Sequence, residues 1–173
     1  MPAQTGLLGL GSNVGERRAQ LQRAVDALPG VGVEVIACSS TYDTDPVGEV
    51  TDQPSFLNAC VLVATTLEPL SLLDAVKGLE RTLGRREGGP RHGPRAIDID
   101  ILLLGEHELA HPRMTLPHEQ LLSRRFVLIP ALEIDFALRT PSGADLAGAL
   151  AALPLDEGVR WAGPSLRVPA LGS

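Results

Sequence analysis

Lysine is almost absent from this 173-residue chain: of its 15 basic residues only Lys77 is a lysine, and the rest are arginines. Against 21 acidic residues this gives a formal net charge of −6, which excludes a surface built broadly for nucleic acid. Aromatics make only 3% of the chain, so each of Tyr42, Phe56, Phe126, Phe136 and Trp161 is expected to serve the core or a site. Cysteine is scarce too. Cys38 and Cys60 form no Cys-x-x-Cys and have no nearby histidine, which excludes a zinc site and a disulfide framework. They read as reduced, core-packed thiols of a cytosolic protein. No apolar run approaches the roughly 20 residues that cross a bilayer. The opening MPAQTGLLGLGSN lacks a basic head and a cleavage site, so the expectation is a cytoplasmic protein with no membrane contact. No repeat, low-complexity tract or linker divides the chain. Hydrophobic residues at 44% and charged residues at 21% fit a single globular domain over 1–173, with a loose tail at 164–173.

What charge there is lies unevenly. Residues 81–95 hold Arg81, Arg85, Arg86, Arg91 and Arg95 against Glu87, a local +4 that leaves −10 for the rest. Guanidinium forks match phosphate oxygens, so the cluster reads either as an anion site or as a solvated charged loop. Its four glycines and two prolines between Gly84 and Arg95 exclude regular structure there.

Hydrophobic periodicity predicts the elements. Residues 6–11 read as a short buried strand. Ala19, Leu21, Ala24, Val25 and Leu28 give a helix over 16–28, ended by Pro29-Gly30. Alternating, Val- and Ile-rich residues 31–42 form a long strand, and 56–67 form a second that pairs with it antiparallel across a Pro/Gly/Asp-rich loop. An amphipathic helix spans 69–83, a strand 97–104, short segments 107–116, helices 123–132 and 144–153, and an edge strand 159–162. The order strand, helix, strand, strand, helix, strand predicts an α+β fold. It is a ferredoxin-like split βαβ core, mainly antiparallel, with helices packed on the sheet.

Chemistry concentrates after the arginine loop. Asp98 and Asp100 alternate with Ile97, Ile99 and Ile101. Residues two apart on a strand share a face, with Cα atoms about 6.6 Å apart, so the isoleucines face the core and the carboxylates point together the other way. Two adjacent like charges call for a cation, and hard oxygen donors beside phosphate-binding arginines favour magnesium. A polar outer strand face is the plainer alternative. Phe56 and Asn58 share a strand face, an arrangement that suits a stacked, edge-bonded heterocycle as well as a core ring beside a polar strand end. His107, His111 and His118 show no metal-ligand spacing. The opening GLGSNVG departs from the dinucleotide fingerprint, and no Walker lysine follows it.

Six motifs together resemble the 6-hydroxymethyl-7,8-dihydropterin pyrophosphokinase family of folate biosynthesis: GSN (11–13), YDTDP (42–46), DQPSFLNA (52–59), GPRAIDIDIL (93–102), LPH (116–118) and RRF (124–126). The resemblance covers about residues 6–162. It implies pyrophosphate transfer from ATP to the hydroxymethyl group of a reduced pterin, releasing AMP. Asp98 and Asp100 are then expected to hold two Mg2+ ions. Arg85 and Arg95 match the family's phosphate-clamping loop arginines, with Arg91 assisting. Lys77, Glu80, Arg113, His118 and Arg124 match ATP-contacting positions. Phe56 and Phe126 match the rings that sandwich the pterin, and Asn58 with the backbone of Thr44, Asp45 and Val47 its edge-recognising groups. The implied partners are two small molecules, ATP and the reduced pterin, with no nucleic acid and no membrane.

The chain departs from relatives at His92 (Trp in some), Glu87 (Arg in some), Glu119 (Tyr in some), Asp45 (commonly Pro) and Phe56 (commonly Tyr), none of them in the metal pair. Two other classes remain open on the residues alone: an Asp-x-Asp nucleotidyl or glycosyl transferase, and a non-catalytic ferredoxin-like binding module.

Overall fold

A computed structural model describes residues 2–45, 54–84, 97–154 and 158–170. The elements run β1 (Gln4–Ser12), α1 (Arg17–Ala27), β2 (Val33–Cys38), β3 (Thr41–Thr44), β4 (Phe56–Thr65), α2 (Pro69–Gly84), β5 (Asp98–Leu104), β6 (Leu109–His111), β7 (Met114–Leu116), α3 (Arg125–Ile134), α4 (Leu146–Ala152) and β8 (Val159–Gly163). The main sheet is ordered β5-β1-β4-β3-β8, with β2 also pairing β4, and every pairing is antiparallel. β4 thus lies between β1 and the β2/β3 strand that follows the α1 crossover, the split βαβ expected from the element order. β6 and β7 form a separate hairpin. No helix among the described residues is long and apolar enough to cross a membrane.

The predicted long strand over 31–42 is two strands. A register shift falls between Val35 and Ala37, and Ser39-Ser40 interrupts the ladder. The cause is local. Ser39 Oγ accepts from the Cys60 N–H at 2.9 Å, and the Ser40 N–H and Oγ both donate to Glu133 Oε2, at 3.0 and 2.7 Å. Hydroxyl side chains that bond backbone groups in this way compete with the strand ladder. The start of α1 follows from Gly15, whose φ of +66° turns the chain between β1 and the helix.

The sheet carries apolar residues on both faces. On one, Leu8 and Leu10 of β1, Leu57, Ala59, Val61 and Val63 of β4, and Ile99 and Ile101 of β5 pack against Leu21, Val25, Leu72, Val76 and Leu79 of α1 and α2. On the other, Leu7, Cys60 and Leu102 meet Val127, Leu128, Ala131 and Leu146 of α3 and α4. Among the described residues, the apolar layer of this second face ends at Leu7, Cys60 and Leu102. Beyond them, the same face of β1, β4 and β5 presents Gly9 and Gly11, Asn58, and Asp98 and Asp100.

The tail is not loose at its beginning. Residues 164–170 have no helix or strand, but Leu166 is buried and its N–H donates to Ser39 O. The buried Gln22 side chain exchanges two 2.9 Å hydrogen bonds with the backbone of Arg167, and Arg18 donates to the carbonyls of Pro164 and Ser165. Sequence periodicity cannot reveal an extended segment held by polar side chains of a distant helix.

Candidate active site

Strand register assembles the site. Gly11 of β1 lies opposite Asp98 on one side and Asn58 on the other, and Gly9 lies between Asp100 and Cys60. Two rows therefore cross the sheet, each with a glycine between a carboxylate and a β4 side chain. Ile97, Ile99 and Ile101 are 3%, 0% and 4% exposed on the opposite face, while both aspartates line one cavity of about 240 Å3. The alternation predicted for IDIDI places both carboxylates together.

Burial pushes the Asp100 carboxyl above its ordinary range, and the neighbouring Asp98 charge adds to this; Lys77, His118 and Arg124 pull the other way. A carboxylate disfavoured by burial and a like charge gains most from a divalent cation. The donor set fits Mg2+, which takes one or two protein carboxylates and fills its other positions from phosphate and water. Among the described residues no third His, Cys, Asp or Glu joins the pair to make a larger cluster.

Phe56 at the start of β4, Asn58 two residues on, Thr44 and Asp45 at the end of β3, and Phe126 in the first turn of α3 line the same cavity. The Arg124 guanidinium lies 5.3 Å from the centroid of the Phe126 ring. Asn58 Nδ2 donates to Thr44 Oγ1 at 2.5 Å, which fixes the plane of the amide. Gly11 is required here: a Cβ at this position would sit 2.8 Å from Asn58 Oδ1. Gly9 and Gly11 of GLGSNVG thus form a flat floor, not a phosphate-binding turn.

A second, more open cavity of about 520 Å3 shares Asp100 and Arg124 with the first and is walled by Lys77, His111, Arg113, Thr115, His118 and Gln120. Lys77, Arg113, His118 and Arg124, all expected at ATP, stand together there. Arg113 pairs with Asp74 at 2.6 Å. His118 Nδ1 accepts from the Gln120 N–H, and the His118 N–H donates to Leu102 O.

Glu80 is not on the wall of either cavity. Its Oε2 accepts from the Ile99 N–H at 2.8 Å and pairs with Lys77 at 3.1 Å, and Lys77 Nζ donates to Ile99 O at 3.3 Å. The pair holds both polar groups of the residue between the two aspartates. β5 is an edge strand, so these groups have no ladder partner on that side. Burial raises the Glu80 carboxyl above its ordinary range, opposed by the Ile99 N–H and by Lys77.

Arg85, Arg91, Arg95 and Val47, with the departures at Glu87 and His92, lie outside the described residues. Sequence reasoning missed Gly9 and Gly11 as a floor, Cys60 and Leu102 at its end, and the Ile99 clamp. The glycines carried a signal in their period of two opposite the Asp-x-Asp strand. The clamp carried none, since it depends on how a helix side chain meets a strand edge.

Comparison with known proteins identifies the family. Residues 7–136 match the model of the family described as 7,8-dihydro-6-hydroxymethylpterin-pyrophosphokinase (HPPK). The chain is 42% identical over 150 residues to the Pseudomonas aeruginosa 2-amino-4-hydroxy-6-hydroxymethyldihydropteridine pyrophosphokinase, covering 86% of this chain and 91% of that one. It is 41% identical over 128 residues to an Arabidopsis thaliana folate synthesis bifunctional protein, covering 74% of this chain but only 26% of the longer protein. The Plasmodium falciparum HPPK-DHPS structure superposes with a TM-score of 0.68 at 14% identity, covering 87% of this chain and 43% of that one, which supports the fold. By its motifs, its register-built pocket and these relatives, the chain belongs to the 7,8-dihydro-6-hydroxymethylpterin-pyrophosphokinase family.

Proposed function

We propose that this chain transfers pyrophosphate from ATP to the hydroxymethyl group of 6-hydroxymethyl-7,8-dihydropterin, releasing AMP, in folate biosynthesis. The observation that carries this reading is that Asp98 and Asp100 line one cavity while Asp100 also lines a second, unlike one. One is narrow, with a glycine floor, two phenyl rings and an oriented amide, and suits a flat heterocycle. The other carries Lys77, Arg113, His118 and Arg124 and suits a nucleotide triphosphate.

In the first cavity Phe56 and Phe126 hold the pterin ring. Asn58 and the backbone of Thr44, Asp45 and Val47 read its edge, so the hydroxymethyl oxygen faces the aspartates. In the second, Lys77, Arg113, His118 and Arg124 hold ATP. Asp98 and Asp100 would hold two Mg2+ ions, which supply charge neutralisation on the triphosphate and orientation for in-line displacement. The pterin oxygen forms a bond to the β-phosphorus as the bond from that phosphorus to the α,β-bridging oxygen breaks. AMP leaves, and the hydroxyl proton passes to solvent. Arg85 and Arg95, with Arg91 assisting, stabilise the charge on the transferring group. No covalent intermediate with the chain is required.

The test is incubation with ATP, Mg2+ and the reduced hydroxymethyl pterin. AMP and a pterin diphosphate are the expected products. ADP, a nucleotide- or sugar-bearing product, or ligand binding without turnover would each reject the reading.

A further inference from the structure

We infer that Arg17 is a positioning residue for the heterocycle, acting from behind the sheet through the two strand ends that carry Thr44 and Phe56. The inference rests on the pyrophosphokinase reading. Arg17 is the first residue of α1, 26 residues from Asp43 and 38 from Ser55 in sequence. One guanidinium nitrogen donates to Asp43 Oδ1 at 2.7 Å, Ser55 O at 3.1 Å and Ser55 Oγ at 3.3 Å, and Ser55 Oγ donates to Asp43 Oδ1 at 3.3 Å. Arg17 and Asp43 are both about 30% exposed, so the pair is only partly screened by solvent.

The consequence follows from strand alternation. Asp43 and Ser55 each precede a residue that lines the heterocycle cavity, and those two, Thr44 and Phe56, are cross-strand partners. Asp43 and Ser55 point to the α1 side of the sheet while Thr44 and Phe56 point to the cavity. Arg17 therefore does not line the cavity, yet it braces both of its strand ends. The brace matters on the β4 side: β3 is four residues long and pairs with β4 only from Tyr42 to Thr44, while β8 pairs its other edge from Thr41 to Thr44. So short a ladder opens easily at its end unless side chains hold it. Thr44 in turn holds the Asn58 amide, so restraint passes from Arg17 through Asp43 and Thr44 to the group that reads the heterocycle edge. Lys77, Arg113 and His118 stand on other parts of the chain, and the brace touches none of them.

Steady-state KM for the pterin and for ATP, measured separately on wild type, Arg17→Ala, Arg17→Lys and Asp43→Asn, tests this. Arg17→Ala is expected to raise pterin KM about tenfold, the scale of a charge-assisted contact, and to leave ATP KM and kcat near wild type. Arg17→Lys should recover part of the loss, and amide hydrogen exchange at Thr44 and Phe56 should quicken in Arg17→Ala. Asp43→Asn is milder and keeps the test open if Arg17→Ala does not fold; a pterin-specific rise about threefold is expected there. An unchanged pterin KM, or a parallel rise in both KM values, overturns the inference. Absence of turnover in wild type instead overturns the pyrophosphokinase reading on which it rests.

Discussion

Asp98 and Asp100 were legible because a strand has a period of two, and the buried isoleucines between them dictate which way they point. Asp98→Ala should nearly abolish turnover with the thermal midpoint little changed, because the side chain faces a cavity and not the core; loss of folding would show a structural role. Asp100 allows a sharper test. Its carboxyl is raised above its ordinary value, chiefly by burial. The native state then holds its proton at pH values where the unfolded chain has lost it. The resulting stability is complete below the ordinary carboxylate range and is lost as pH rises through the folded value. Asp100→Asn should be inactive with Mg2+ present and, metal-free, more stable than metal-free wild type at neutral pH, by about 1 kcal/mol, with the gain vanishing near pH 4 and shrinking when wild type is saturated with Mg2+. Urea midpoints at the two pH values measure this. Gly11 was not legible, since nothing local shows that a side chain from another strand occupies the space above it. Gly11→Ala should displace the Asn58 amide and weaken pterin binding at least about tenfold, read by titration with pterin alone.

At the scale of elements, most boundaries were legible and the strand edges were not. The helices over 17–27 and 69–84 and the strands over 56–65 and 98–104 fall where apolar period places them. The split of 33–44 into two strands and the anchoring of 164–167 do not show in periodicity. Both depend on polar contacts with distant segments: Ser39 with the Cys60 N–H, Ser40 with Glu133, and Gln22 with Arg167. The same kind of contact completes β5. Glu80→Ala should leave the Ile99 N–H without its partner, cost about 1–3 kcal/mol of stability and raise the Mg2+ concentration needed for half-maximal rate. Glu80→Gln, which still offers an acceptor to Ile99, should retain much of both. If the two variants behave alike, the clamp does not position the aspartates.

At the scale of the molecule, the sheet is a wall with two uses. One face is covered by α1 and α2 along its length. Among the described residues, α3 and α4 cover the other only as far as Leu7, Cys60 and Leu102, and the candidate site lies beyond that limit. Core and site are thus separable. Leu128→Ala, in the fully buried α3 layer, should cost about 2–5 kcal/mol in chemical denaturation. Chelation of Mg2+ should stop turnover and lower the denaturation midpoint of wild type by less than Leu128→Ala does, since it removes only the stabilisation that metal binding adds. The sequence by itself determined the order of elements, the core-facing stripes and the shared direction of Asp98 and Asp100, because helix and strand periods act over a few residues and need no partner. Only the tertiary structure decided that Gly9 and Gly11 lie between those aspartates and Asn58 and Cys60, that Arg17 reaches Asp43 and Ser55, and that Glu80 meets Ile99. These pairings join residues far apart in the chain, and their geometry is set by antiparallel register and by where each helix lands on the sheet.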